Sequence, residues 1–182
     1  MVGAGPAGAF AALSAAFRGE EVTLIDQRGV LGGAASRSAG VVTVQLEDPM
    51  DVRLVLRSIE LIRSVAKASV LRTGFLQLGR EEDLSESIAA LRDAGVMHEI
   101  LTGSEIIERW PAFRVDRDLI GVYTDLDLSV EPPALGLELM EALEAQDVRV
   151  VKRGVASFAT DGDTVTGVVL EGGERIDHDG LV

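Results

Sequence analysis

The chain has 182 residues, a formal net charge of −13, 47% hydrophobic and 4% aromatic residues, and no cysteine. That length allows one domain or a little more, and the apolar content argues against disorder while the few rings make any core aliphatic. Without cysteine there are no disulfides, thiolate metal sites or cysteine nucleophile, which fits a cytoplasmic setting; the acid excess argues against nucleic acid or anionic membrane as partner, and no apolar run reaches the ~20 residues of a membrane span.

The first element is a strand stub, Met1-Val2, followed by Gly3-Ala4-Gly5-Pro6-Ala7-Gly8, a G-x-G-x-x-G run. Each glycine has its own task in a dinucleotide-binding turn. Gly3 lets the chain leave the strand sharply, Gly5 leaves room for a diphosphate, and Gly8 lets the next helix lie close on the sheet. That helix, from about Pro6 to Arg18, presents free amides and its positive dipole end to phosphates. Ala12 and Gly19 continue the small-residue spacing, Phe10, Leu13 and Phe17 supply an apolar stripe, and Gly19 suits a left-handed cap. A strand over 22–25 ends at Asp26, placed to accept bonds from both ribose hydroxyls. A glycine-rich helix start without a ligand is the competing explanation; the helix, strand and acid in the required order favour the nucleotide. A parallel strand feeding such a turn usually has about five residues, so a start upstream of Met1 is expected.

Residues 27–46 read as a long irregular stretch around Gly32-Gly33-Ala34-Ala35-Ser36-Arg37-Ser38-Ala39-Gly40, whose small side chains suit a backbone lying against a flat ligand. Asp48 and Pro49 open a helix as cap and first residue, with Val52, Val55, Leu56, Ile59, Ile62 and Ala66 as its buried stripe. Residues 75–78 read as a short strand. The helix over 82–94 buries Leu84, Ile88 and Leu91 and stops at Gly95. Thr102-x-x-Glu105 is a capping box opening a short helix that ends at Pro111. Residues 119–128 read as one strand. A helix from Pro132 to about Gln146 carries Leu135, Leu139 and Leu143 on one face, and a strand over 148–151 returns to the nucleotide-binding layer. The tail reads as a β-meander over 155–159, 164–170 and 174 onward, with Asp161-Gly162 and Gly172-Gly173 at its turns. Residues 179–182 read as a strand cut short.

Other tempting residues have plainer explanations. His98 and His178 have no partner pattern and read as solvated rather than catalytic or metal-binding. Trp110 reads as a packing anchor at a helix end and Tyr123 as a structural strand residue. Arg37 suits a phosphate or carboxylate contact and an exposed loop equally. Glu81, Glu82 and Asp83 complement a helix dipole. No carboxylates are paired at a metal spacing, so no metal is expected.

The glycine turn with Asp26, the 32–40 loop, the run from Thr102 to Trp110-Pro111, Ser129-Val130-Glu131-Pro132 with its helix, and Val165-Thr166-Gly167-Val168-Val169-Leu170 follow in order along nearly the whole chain. Together they resemble the FAD-dependent oxidoreductases of the D-amino-acid oxidase and sarcosine oxidase superfamily, which includes glycine oxidase-like enzymes. The resemblance implies an α/β protein: a Rossmann-like, doubly wound FAD-binding sheet with a β-meander, plus the first part of an α+β substrate domain, incomplete at both ends. By analogy residues 1–72 and 130–182 belong to the FAD-binding domain and 73–129 to the substrate domain. FAD is the implied cofactor, a small amine or amino acid the substrate, and hydride transfer from the carbon beside nitrogen the reaction.

Carried over position by position, Gly3, Gly5, Pro6, Ala7 and Gly8 match the pyrophosphate turn and Asp26 the ribose-binding acid. Gln27 and Arg28 match the adenosine edge. Ser36, Arg37, Ser38, Ala39 and Gly40 match the loop beside the ribityl chain, and the backbone of Val155 falls near the adenine. The resemblance names no catalytic residue. Such enzymes are much longer, so this polypeptide alone is expected to bind FAD weakly or not at all and to be inactive, lacking a C-terminal half or a partner subunit. Two other functions compete. One is an NAD(P)-dependent Rossmann oxidoreductase, which rarely needs a loop like 32–40; the other is a non-catalytic flavoprotein subunit that completes its fold against another chain.

Overall fold

A computed structural model of the chain describes residues 1–178, so the strand expected at 179–182 lies outside them. In chain order the elements are α1 (Pro6–Ala16), β1 (Thr23–Ile25), a 3-10 turn (Ala35–Arg37), β2 (Val41–Val42), α2 (Pro49–Val65) and β3 (Val70–Arg72). Next come β4 (Phe75–Gly79), α3 (Glu81–Asp93), β5 (Glu99–Thr102), α4 (Gly103–Arg109), β6 (Ile120–Thr124) and β7 (Leu128–Val130). The last are α5 (Pro132–Glu144), β8 (Arg149–Val151), β9 (Val155–Asp161), β10 (Thr164–Leu170) and β11 (Arg175–Asp177). They form two compact units: Met1–Ala39, Val65–Ser69 and Glu131–Val182 make the first, Gly40–Ser64 and Val70–Val130 the second.

In the first unit β1 and β8 run parallel, with Leu24 opposite Val150 and Ile25 opposite Val151. The two-residue stub pairs along the other side of β1. The Met1 ammonium donates to the Thr23 carbonyl at 2.7 Å, the Ile25 amide donates to the Met1 carbonyl at 2.9 Å, and Val2 makes a parallel bridge with Ile25. Helix α1 buries Ala9, Ala12, Leu13 and Ala15. Of the expected Phe10–Leu13–Phe17 stripe only Leu13 lies on its inner face: Phe10 is half-buried and Phe17 is 68% exposed. The helix lies too close to its neighbours to admit large rings there, and alanines fill the space. Helix α5 starts on Pro132 and buries Leu135, Leu139 and Leu143, each contributing roughly 1.5–3 kcal/mol by burial. A methyl on its Gly136 would stand 3.4 Å from both Leu31 Cβ and the Val30 carbonyl oxygen, so α5 lies directly on that loop. The meander β9–β10–β11 is antiparallel. Its turns use Gly162 (φ +57°), Gly172 (+98°) and Gly173 (+87°), and Val168 and Leu170 pack with Ile25.

The second unit holds two antiparallel three-stranded sheets, β2-β7-β3 and β4-β6-β5. The strand expected over 119–128 is therefore two strands in different sheets. Asp127 causes the break. It is 1% exposed, and its carboxylate accepts from the Val44 amide (2.8 Å) and the Thr124 hydroxyl. Its carbonyl accepts from the Thr73 and Gly74 amides. A buried carboxylate must be hydrogen-bonded, so the backbone bends to satisfy it. Residues 40–64 and 70–72, grouped by analogy with the FAD-binding segment 1–72, pack in this unit because β2 and β3 pair with β7. Gln45 strengthens the tie: its Nε2 is 3.0 Å from the Phe75 and Val122 carbonyls and 2.8 Å from Thr124 Oγ1. Helix α2 begins as expected, with Asp48 Oδ1 accepting from the Met50 amide at 2.7 Å. The Thr102–Glu105 capping box of α4 is formed in both directions.

Candidate functional site

The turn between Val2 and α1 is built by its three glycines in three ways. Gly3 adopts φ +99°, a conformation that L side chains rarely take. At Gly8 a Cβ would stand 1.9 Å from the Gly3 carbonyl oxygen, so only glycine lets the helix sit this close. Gly5 caps α1 with φ −66°, and a Cβ there would meet nothing within 4 Å. Its open side lies at the helix N-terminus. The first intrahelical bond, from the Ala9 amide to the Gly5 carbonyl at 2.9 Å, leaves the Ala7 and Gly8 amides with no acceptor in their own helix. These amides and the dipole's positive end, equivalent to roughly +0.5 charge, suit a phosphate. Pro6 and Ala7 are exposed on this first turn.

Asp26 turns back into the same feature. Its Oδ2 accepts from the Ala4 amide at 2.9 Å, and Oδ1 accepts from the Arg28 and Gly29 amides at 2.7 and 3.0 Å. A carboxylate offers about four acceptor positions, so three amides leave roughly one for a ligand hydroxyl. Gln27 and Arg28 are exposed beside it. Gly29, at φ +84°, carries the methylene stem of Lys152.

The rest of the expected site is distributed as follows. The Ser36 hydroxyl donates to the Gly33 carbonyl at 2.9 Å and so braces its own loop. Arg37, Ser38 and Ala39 are exposed at or just after the 3-10 turn. Val155 opens β9 and packs against the Ile25, Val168 and Leu170 cluster, one residue from Asp26. Gly40 falls in the second unit, where its glycine has a local cause: φ is +69° and a Cβ would lie 1.8 Å from the Val130 carbonyl oxygen.

Three neighbours of Asp26 carry no motif signature: the Ala4 and Gly29 amides that donate to it, and Lys152, whose stem lies on Gly29. Lys152 is the first residue after the strand expected over 148–151, and the pairing of that strand with β1 is what brings it beside Asp26. Trp110 packs as expected, its ring 5.5 Å from Tyr123 and 6.3 Å from Phe113, with the Arg109 guanidinium 4.6 and 4.5 Å from the Trp110 and Tyr123 rings. His98 Nδ1 lies 2.9 Å from the Val96 carbonyl. Among the described residues no group of three or more His, Asp or Glu is placed to hold a metal, and no helix is long and apolar enough to cross a membrane.

Comparison with known proteins bears on this turn. Residues 1–182 match the profile of the DAO family, FAD dependent oxidoreductase. L-proline dehydrogenase from P. horikoshii superposes with a TM-score of 0.87 at 24% identity, covering 97% of this chain and 49% of that one. L-amino acid deaminase from Proteus myxofaciens gives 0.83 at 21% identity over 97% of this chain and 42% of that chain. Glycine oxidase from Geobacillus kaustophilus gives 0.71 at 25% identity over 97% and 51%. The chain thus spans about half the length of the solved structures it resembles. No curated protein sequence matches it significantly. An open glycine face at a helix tip, an acid folded back onto the same turn, and a family match over the full sequence lead to one assignment: the chain belongs to the DAO family of FAD dependent oxidoreductases.

Proposed function

We propose that this chain serves the oxidation of a C–N bond in a small amine or amino acid, and that its first unit holds the adenosine diphosphate half of FAD. Bound FAD supplies the acceptor for a hydride taken from the carbon beside nitrogen. The chain's own residues bind and orient it. The Ala7 and Gly8 amides receive the diphosphate, the remaining Asp26 acceptor position takes a ribose hydroxyl, and Gln27 and Arg28 line the adenosine edge. The backbone of Ser36, Arg37, Ser38 and Ala39 follows the ribityl chain, and Val155 borders the adenine. The observation that carries this reading is the open face of Gly5 beside Ala4, whose amide is held by Asp26. The amino-acid chemistry is supported by the names of the similar structures, a proline dehydrogenase, an amino acid deaminase and a glycine oxidase.

Parallel fluorescence titrations with FAD and NADH test the cofactor. FAD is expected to bind more tightly than NADH, with an affinity weaker than micromolar for this chain alone, and Gly5→Val is expected to abolish it. Tighter NADH binding would favour a nicotinamide enzyme instead. A second reading, a subunit that completes its fold against another chain, is favoured by β4 and β5 standing at the edges of their sheet among the described residues. Size-exclusion chromatography decides it: a stable monomer counts against this reading.

A further inference from the structure

Lys152 is the first residue beyond β8, as Asp26 is the first beyond β1. Ile25 and Val151 are register partners, and the Asp26 amide donates to the Val151 carbonyl at 3.0 Å. The two residues therefore stand side by side at the carboxyl ends of parallel strands, the edge where open α/β sheets bind nucleotides. The Lys152 stem lies on Gly29: its Cδ and Cε are 3.8 and 4.0 Å from the position a Cβ would take there. Gly29 in turn donates to Asp26 Oδ1. The Asp26 charge is met by three backbone amides, and among the described residues no carboxylate pairs with Lys152. The only other lysine, Lys67, is neutralised by Glu141 at 2.6 Å. In a chain of net charge −13, a diphosphate approaches through a repulsive field, and a cation packed on the Asp26–Gly29 turn offsets that field locally.

We propose that Lys152 is a nucleotide-binding residue, whose ammonium contacts the adenosine diphosphate group addressed by Asp26 and supplies, with Arg28, the positive charge this acidic chain otherwise lacks at that edge. The proposal rests on the FAD reading above and adds a residue to it.

The test measures binding of ADP, with adenosine as an uncharged comparison, by heteronuclear NMR titration of the chain. Lys152→Gln is expected to weaken ADP binding roughly fivefold at about 50 mM salt, and the gap to the parent closes at about 0.5 M as screening shortens the field's reach. Lys152→Arg is expected to restore binding to within about twofold, Lys67→Gln to change nothing, and adenosine to respond less than ADP. Unchanged thermal midpoints show that the variants are folded. Lys152→Gln binding ADP as well as the parent at low salt, while Gly5→Val loses it, overturns this proposal and leaves the FAD reading standing. A parent chain that shows no ADP binding at millimolar concentration, or a Gly5→Val variant that binds as the parent does, overturns both.

Discussion

A methyl group tells apart the last two glycines of the Gly3–Gly8 turn. At Gly8 it would press on the Gly3 carbonyl from 1.9 Å, a backbone contact that cannot rotate away. Gly8→Ala is therefore expected to lower stability by about 2–3 kcal/mol, read from urea denaturation, and to take ligand binding with it. At Gly5 the same methyl meets nothing within 4 Å and φ is already −66°. Gly5→Ala is expected to leave the urea midpoint unchanged or slightly raised while weakening ADP binding, because in the proposed site the methyl stands where the phosphates approach the amides. A loss of stability at Gly5, or none at Gly8, would mean that the turn is built otherwise. Asp26→Asn keeps one acceptor oxygen and strands amides that the other held, so it is expected to cost about 1–3 kcal/mol. The acid was legible from its place after a strand. Its three amide partners were not, because two of them exist only once residues 28–29 have turned.

Elements announce their ends more clearly than their neighbours. Pro6, Asp48 with Pro49, Thr102 with Glu105, and Pro132 each start a helix where expected, since a cap or a missing amide acts within one turn. The run from Leu119 to Leu128 gives no such local warning. Its division into β6 and β7 depends on Asp127 meeting Val44, far away in sequence. The short strands β2, β3 and β5 have two to four residues and exist only because β6 and β7 offer them ladders. Helix α5 is tied to residues 67–69 by Glu138. Burial pushes its carboxyl up, but hydrogen bonds from the Ser69 hydroxyl and the Ala68, Lys67 and Ser69 amides outweigh that and hold it down to about 2. A depressed pKa contributes stability in full above the ordinary value of 4.5 and loses it as pH falls toward about 2. Glu138→Gln is thus expected to lower the urea midpoint at neutral pH and to match the parent near pH 2; a gap that persists there would contradict the linkage. Thr102→Ala, which opens the capping box, is expected to cost about 1 kcal/mol by the same measurement.

For the molecule as a whole, the charge of −13 and the paucity of lysine imply self-repulsion that salt relieves. The thermal midpoint is expected to rise between low and about 0.5 M salt, and a midpoint indifferent to salt would mean that the ion pairs already balance the excess. The α/β class and the glycine turn that opens α1 were legible because each depends on local spacing. The assortment of segments into two units was not, since it depends on pairings between distant strands. That assortment has a consequence for biosynthesis. Met1–Ala39 leaves the ribosome before the other unit, yet β8 and α5, which pack in its unit, emerge only after Val130, once Gly40–Ser64 and Val70–Val130 have been made. At translation rates of about 5–20 residues per second, the nascent β1 waits several seconds with Leu24 and Ile25 uncovered by β8. Chaperones that grip aliphatic segments have that interval in which to act, and a ribosome stalled before Arg149 would hold the chain in their reach.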